Sequence, residues 1–167
     1  MISSSVHVEH VRIPGQQEIA GQVFPLVLRC TTISPSWDAI NAWIGTHRDK
    51  LSQQASEYGA ILFRDFPLTT PEDFDAFIAA FEFENFPYEE SLSNAVRVNK
   101  TPRVFTANEA PADVKIFLHH EMAQTPIYPS KLMFFCEQPA EIGGATPLCR
   151  SDLLWKKLAE KYPKFAA

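Results

Sequence analysis

Thirteen prolines spread over 167 residues constrain this chain most strongly, because they limit the length of every helix and strand. Proline has no backbone N–H to donate and fixes φ, so it interrupts helices and the interior of sheets. Thirteen phenylalanines supply large apolar side chains for a core. The sequence therefore predicts short elements around an aromatic core, at a length that suits one domain.

Charge and hydropathy exclude several classes of partner. Fifteen Lys and Arg stand against 20 Asp and Glu, a net charge of −5. We therefore expect no nucleic-acid partner, which would require a basic face. A membrane-spanning helix needs a run of about 18 apolar residues, and the sequence contains none. Residues 1–17 also lack the apolar stretch of a signal peptide, so the sequence predicts a cytoplasmic protein with no membrane partner.

The apolar pattern of the first half predicts two strands and two helices. Residues 22–30 are a strand region that Pro25 places near an edge or bend, and residues 60–66 are a short apolar run that is typical of a buried strand. A Ser-Pro pair at 34–35 begins a helix, and apolar residues at helical spacing continue it to Gly59. A capping-box pattern from Thr70 begins the second helix, whose phenylalanines form an apolar stripe.

The second half predicts further strands and one more helix. The strands are expected at residues 103–106, 116–122, 131–137 and 145–149. Ser151 is expected to cap the helix, which ends near Pro163. Parallel neighbours need long crossover connections, and the later strands lack them, so we expect these strands to be antiparallel. Strands, two helices and then more strands make an α+β fold.

The segment His119-His120-Glu121 carries the candidate chemistry. On a strand, side chains two positions apart point to the same face, so His119 and Glu121 can bind one ion while His120 points away. One imidazole and one carboxylate supply two corners of a 2-His-1-carboxylate triad, which leaves open positions on Fe(II). A polar loop with a hydrogen-bonded histidine pair is the alternative interpretation, because H-x-E is common by chance.

Zinc chemistry is disfavoured. A helical H-E-x-x-H motif is absent, because Gln124 and Thr125 follow where its second histidine would stand. A zinc hydrolase that used all three residues of His119-His120-Glu121 would need adjacent strand residues to converge on one ion, which requires a sharp turn.

Four segments together resemble the taurine dioxygenase (TauD/TfdA) family. They are GAILFRDFPLTTPEDFDAFIAAF at 59–81, RVFTANE at 103–109, LHHEMAQTPIYPSKLMFFCE at 118–137 and GGATPL at 143–148. Their order and spacing match the family over about residues 57–165. Each segment alone is unspecific, whereas the joint match is specific.

The resemblance implies a role for several residues. His119 and Glu121 match the family's first two iron ligands. Thr146 matches the threonine that contacts the distal carboxylate of the co-substrate 2-oxoglutarate, although it also suits an ordinary strand position. Asn108 and Glu109 match the loop that builds the substrate mouth, although a plain turn before Pro111 suits them equally.

The resemblance also implies the fold and the reaction. The expected fold is part of a double-stranded β-helix (jelly roll), with residues 1–167 as the N-terminal half of one domain. The expected reaction uses Fe(II), 2-oxoglutarate and O2 to hydroxylate a small-molecule substrate. The family pattern continues with a distal histidine and a co-substrate-binding arginine. Here no histidine follows His120, and Arg150 is the only arginine after Arg103, so we expect the C-terminal half of the domain to be absent.

A second functional hypothesis is non-catalytic. A short isoform or inactive relative would keep the likeness but bind a partner through an open sheet edge, for example as a homo-oligomer. This hypothesis predicts no bound iron, whereas the dioxygenase hypothesis predicts a metal site.

Overall fold

The computed structural model describes residues 5–19, 21–86, 96–111 and 113–166. Over these residues the architecture is α+β, as predicted: a three-stranded sheet and a two-stranded sheet occur with four helices. The buried core lies between the larger sheet and the first two helices of the chain.

The three-stranded sheet has the order β1-β4-β5, with strands Val8–His10, Leu26–Cys30 and Ile61–Arg64. The first pair is antiparallel and the second is parallel. A separate hairpin pairs β2, Gln17–Ile19, with β3, Gln22–Phe24. The strand region predicted for residues 22–30, with Pro25 near an edge or bend, is confirmed as two strands on either side of Pro25. Proline has no N–H for a ladder, and the two parts join different sheets.

Helix α1, Trp37–Tyr58, makes the crossover that the parallel strands require. It begins two residues later than the predicted Ser-Pro start, because the Ser36 hydroxyl accepts the hydrogen bond from the Ala39 N–H. Gly59 ends it with φ 82, as the sequence predicts. The predicted apolar stripe faces the core, where Ile40 and Ile44 are fully buried.

Helix α2, Pro71–Ala79, confirms the capping box: the Thr70 hydroxyl accepts from the Asp73 N–H, and the Asp73 carboxylate accepts from the Thr70 N–H. Its aromatic stripe is core. The rings of Phe77 and Phe63 of β5 meet edge to face, with centroids 5.4 Å apart. The helix therefore covers the outer strand of the larger sheet with aromatic rings.

No strand occurs in the described part of residues 96–149, so the strands predicted at 103–106, 116–122, 131–137 and 145–149, and their antiparallel pairing, are wrong there. One isolated antiparallel bridge joins Asn99 and Phe105. A strand exists only through hydrogen bonds to a neighbour, and beyond that bridge the described residues bring no paired neighbour alongside the apolar segments of residues 116–149. Many of their side chains are exposed, including Phe117 at 78% and Phe134 at 63%.

Two helices follow: α3, Ser151–Lys161, and the short α4, Pro163–Ala166. The end of α3 before Pro163 matches the prediction. The predicted cap does not, because Arg150 occupies the capping position without a side-chain hydrogen bond to the helix, and Ser151 is the first helical residue. Within the described ranges, no helix is both long and apolar enough to cross a membrane.

Candidate metal centre

His119 and Glu121 lie close together, whereas His120 contacts a different residue. The Nε2 atom of His119 is 3.8 Å from Oε2 of Glu121, whereas Nε2 of His120 lies 2.6 Å from the Ser151 hydroxyl at the start of α3. The expected proximity of His119 and Glu121 is thus present although the segment is not a strand. Directly after it, Met122 has φ 58 and is 3% exposed, so the chain turns and is anchored there.

The tautomer of His119 follows from its contact with the backbone. Its Nδ1 atom lies 2.7 Å from the carbonyl oxygen of Phe117. A carbonyl oxygen only accepts hydrogen bonds, so Nδ1 carries the proton and donates. In the neutral ring, Nε2 then presents its lone pair on the side of Glu121. A backbone carbonyl that fixes the second ring nitrogen is the usual arrangement behind a metal-binding histidine.

Arg97 binds the other oxygen of Glu121. Its Nη2 atom is 3.0 Å from Oε1 of Glu121, and both side chains are 18% exposed. The guanidinium carbon also lies 5.3 Å from the centroid of the Phe105 ring, within the range of a cation–π contact. Sequence reasoning missed Arg97. Its position between Val96 and Val98 is a weak sign that it faces away from them, but nothing local connects it to a residue 24 positions later.

Hydrogen bonds between residues 96–98 and 104–109 hold Arg97 in place. The Thr106 N–H donates to the Val98 carbonyl at 2.9 Å, and the Glu109 N–H donates to the Val96 carbonyl at 3.0 Å. The Thr106 hydroxyl also accepts from the Val98 N–H at 3.0 Å. The backbone on both sides of Arg97 is therefore held by hydrogen bonds, and its side chain contacts Glu121 from this fixed position.

The His119–Glu121 pair fits two ligand positions of a metal site. Imidazole nitrogen and carboxylate oxygen bind a divalent ion such as zinc at about 2.0–2.2 Å, so two ligand atoms on neighbouring corners of a tetrahedron lie about 3.4 Å apart. The observed separation of 3.8 Å is slightly longer, and a small side-chain movement would bring both atoms onto one ion. Over the ranges that the structure describes, no cluster of three or more His, Cys, Asp or Glu residues occurs. His119 and Glu121 could therefore provide two protein ligands.

A groove of about 1060 Å³ lies beside the pair. Arg97 and Met122 belong to its wall, which connects it to the contacts around Glu121. Much of the wall is aromatic, and the Nζ atom of Lys131 lies 4.5 Å from the centroid of the Phe83 ring. Most of the lining is apolar, with a few charged groups, which is the usual character of a small-molecule site. The aromatic residues of the wall are Phe74, Phe83, Phe86, Phe105, Tyr128, Phe134 and Phe135.

Of the remaining predicted site residues, Thr146 lies on the groove wall, whereas Asn108 and Glu109 do not. Thr146 is exposed and lines the groove. Asn108 and Glu109 are exposed and are not among the described lining residues, whereas their neighbour Ala107 is. The position of Thr146 is compatible with its expected contact to a ligand, and the mouth role of the other two rests on their proximity in sequence to the wall.

Asp75 fixes another part of the wall to α2. Its carboxylate accepts hydrogen bonds from the Thr101 hydroxyl and from the Arg103 guanidinium, the latter at 2.9 Å. Burial raises the pKa of Asp75, but these hydrogen bonds and the Arg103 charge outweigh it and leave the pKa below its usual value. The Asp75 contacts therefore tie residues 101–103 to the aromatic core.

A family model and curated relatives match this chain. The family model for the taurine catabolism dioxygenase TauD, TfdA family matches residues 28–167. A clavaminate synthase-like protein from Arabidopsis thaliana is 38% identical over 158 residues, covering 92% of this chain and 47% of the relative. The dapdiamide synthesis protein DdaC of Enterobacter agglomerans is 31% identical over 130 residues, covering 78% of this chain and 38% of the relative.

The chain thus spans about half the length of the first of these curated relatives, and less of the second. The family match includes the His119–Glu121 pair, Thr146 and every described lining residue of the groove. Because the match covers most of its residues, the chain belongs to the taurine catabolism dioxygenase TauD/TfdA family.

Proposed function

We propose that this chain carries two ligands of the iron centre, and part of the substrate groove, of an Fe(II)- and 2-oxoglutarate-dependent dioxygenase that hydroxylates a small molecule. The observation that carries the proposal is the 3.8 Å approach of His119 Nε2 to Glu121 Oε2, in a chain of this family. Bound Fe(II) would supply the redox chemistry with O2, coupled to oxidative decarboxylation of 2-oxoglutarate.

Each residue of the pair has a defined task in this proposal. His119 offers the lone pair of Nε2, because its Nδ1–H is held by the Phe117 carbonyl. Glu121 offers Oε2 and contributes the negative charge that a divalent ion requires. The Thr146 hydroxyl, on the groove wall, would donate a hydrogen bond to a carboxylate oxygen of 2-oxoglutarate.

The groove would bind and orient the substrate. Its aromatic rings would pack against an apolar part of the substrate and reduce the access of water to it, which would strengthen polar contacts there. One relative is named for dapdiamide synthesis, which supports a small molecule as the substrate class here.

We further propose that a third iron ligand and a co-substrate-binding arginine belong to the part of the family fold that these 167 residues do not include. The relatives are about twice as long or more, and no histidine follows His120 in this sequence. The same added sequence would supply partner strands for residues 116–149 and complete the double-stranded β-helix. The exposed apolar side chains of this region, such as Phe117 and Phe134, support this proposal.

Anaerobic titration with Fe(II) and 2-oxoglutarate tests the proposed function. The metal-to-ligand charge-transfer band of the iron–2-oxoglutarate complex should form with the wild-type chain, or with a version extended to family length. His119→Gln should abolish the band. His120→Gln is the matched control, since His120 contacts Ser151 instead, and it should retain the band. A band that survives His119→Gln, or no band in either length of protein, would contradict the proposal.

A second candidate function is favoured by the exposed apolar surface. Ile142 is 93% exposed, Phe165 72% and Trp155 51%, and such side chains often mark protein–protein contacts. In this alternative the chain is a non-catalytic binding protein or homo-oligomer. Sedimentation analysis of the purified chain distinguishes the two: a monomer with stoichiometric iron excludes the alternative, whereas an iron-free oligomer supports it.

A further inference from the structure

We propose that Arg97 is a positioning residue that holds Glu121 so that only one carboxylate oxygen faces the metal. The inference rests on the proposed function, because it concerns the same site. A free carboxylate can bind an ion through one oxygen or through both. Here Arg97 Nη2 lies 3.0 Å from Oε1, while Oε2 faces His119 at 3.8 Å. The ion pair therefore assigns the two oxygens to different partners.

Arg97 can impose this orientation because it is itself restrained. Its Nη1 atom donates to the Thr106 carbonyl at 3.5 Å, and its guanidinium lies over the Phe105 ring. Both Arg97 and Glu121 are 18% exposed, so solvent screens their attraction less than at the surface. A planar guanidinium that also contacts Thr106 and Phe105 leaves the Glu121 carboxylate few alternative rotamers.

Two opposing effects of Arg97 on metal affinity make the idea testable. Orientation of Glu121 favours the ion, because the carboxylate does not have to be ordered on binding. The positive charge of Arg97 opposes it, because like charges repel. Loss of an outer hydrogen-bond partner typically weakens metal affinity about 10- to 100-fold. We therefore expect orientation to outweigh repulsion.

Titration with Co(II), followed by its visible absorption, measures the effect without any turnover. We expect Arg97→Gln to weaken Co(II) binding about 10-fold or more. Arg97→Lys should recover only part of this loss, because it keeps the charge but not the planar fork. Arg12→Gln is the matched control. It removes an arginine from an exposed ion pair with Glu18, whose side chains are 62% and 53% exposed, and it should bind Co(II) as the wild type does.

The intensity of the Co(II) absorption band in the metal-saturated protein gives a second readout. A general loss of protein stability would not change this intensity. Freed from Arg97, Glu121 can bind through both oxygens, which raises the coordination number and lowers the Co(II) band intensity. Arg97→Gln should show this change and Arg12→Gln should not.

The outcomes separate this inference from the proposed function. Suppose that Glu121→Gln abolishes Co(II) binding but Arg97→Gln binds as tightly as the wild type, or more tightly. The metal site then stands and the role of Arg97 is overturned. If Glu121→Gln binds Co(II) as the wild type does, the proposed metal site is itself wrong and the inference falls with it.

Discussion

The ion pair between Arg97 and Glu121 should contribute to the stability of the metal-free protein. Substitution of Glu121 by Gln keeps the size of the side chain but removes its charge. An exposed ion pair contributes about 0–1 kcal/mol, whereas removal of one partner from a buried pair costs about 3–5 kcal/mol. Both side chains are 18% exposed, which places this pair between the two limits. We expect Glu121→Gln to lower the free energy of unfolding by about 1–2 kcal/mol.

Urea denaturation followed by far-UV circular dichroism measures this loss in chelator-treated protein. For a urea m value of about 1–3 kcal/mol/M, a loss of about 1.5 kcal/mol lowers the midpoint by roughly 0.5–1.5 M. His119→Gln is the matched control, because His119 is 56% exposed and its Nε2–Glu121 Oε2 separation of 3.8 Å is longer than a hydrogen bond. Its effect should stay within about 0.5 kcal/mol.

A double-mutant cycle assigns the loss to the pair. Because the two charges stabilise each other, Arg97→Gln combined with Glu121→Gln should cost less than the sum of the two single changes. Additive losses would show that the two residues act independently. A Glu121→Gln midpoint equal to or above that of His119→Gln would refute the reasoning, since Glu121 would then gain nothing from Arg97 in the free protein.

Three further predictions concern the frame that carries the site. Ile44→Ala removes a fully buried side chain of α1 and should lower the free energy of unfolding by about 2–5 kcal/mol in urea denaturation; a loss below about 1 kcal/mol would contradict the assigned core. Thr70→Ala removes the capping hydroxyl of α2 and should lower the free energy of unfolding by about 1 kcal/mol, whereas Thr70→Ser should restore it. Asp75→Asn tests a pH dependence: the folded-state pKa of Asp75 is lowered, so its contribution is present above the unfolded pKa of about 3.9 and is lost as pH falls through the folded value. Denaturation at several pH values should show a stability difference between Asp75→Asn and wild type at neutral pH that shrinks below about pH 4; a difference that persists unchanged in acid would refute it.

Local sequence signals predicted the helices of the first half well. The capping box at Thr70 and the end of α1 at Gly59 depend on side chains within a few residues of each helix end, so the sequence alone contains them. The stripe that includes Ile40 and Ile44 follows from helical periodicity. The approach of His119 and Glu121 was predictable for the same reason, because it depends on two residues two positions apart.

Local sequence patterns did not predict the features of the structure that depend on distant residues. Residues 131–137 have the composition of a strand, but a strand also needs a hydrogen-bonded neighbour, and the described residues provide none there. The division of residues 22–30 depends on which sheet each part joins, which Pro25 alone does not determine. Arg97 reaches Glu121 across 24 positions, through a backbone turn that no local pattern marked.

Equilibrium dialysis of Fe(II) under anaerobic conditions, applied to three single variants, tests most directly whether one ion is shared by His119 and Glu121. The account predicts that His119→Gln and Glu121→Gln each abolish the bound iron, while His120→Gln, whose ring contacts Ser151, retains it at the wild-type level. Iron retained by either of the first two variants, or lost equally in all three, would contradict a metal centre built on this pair.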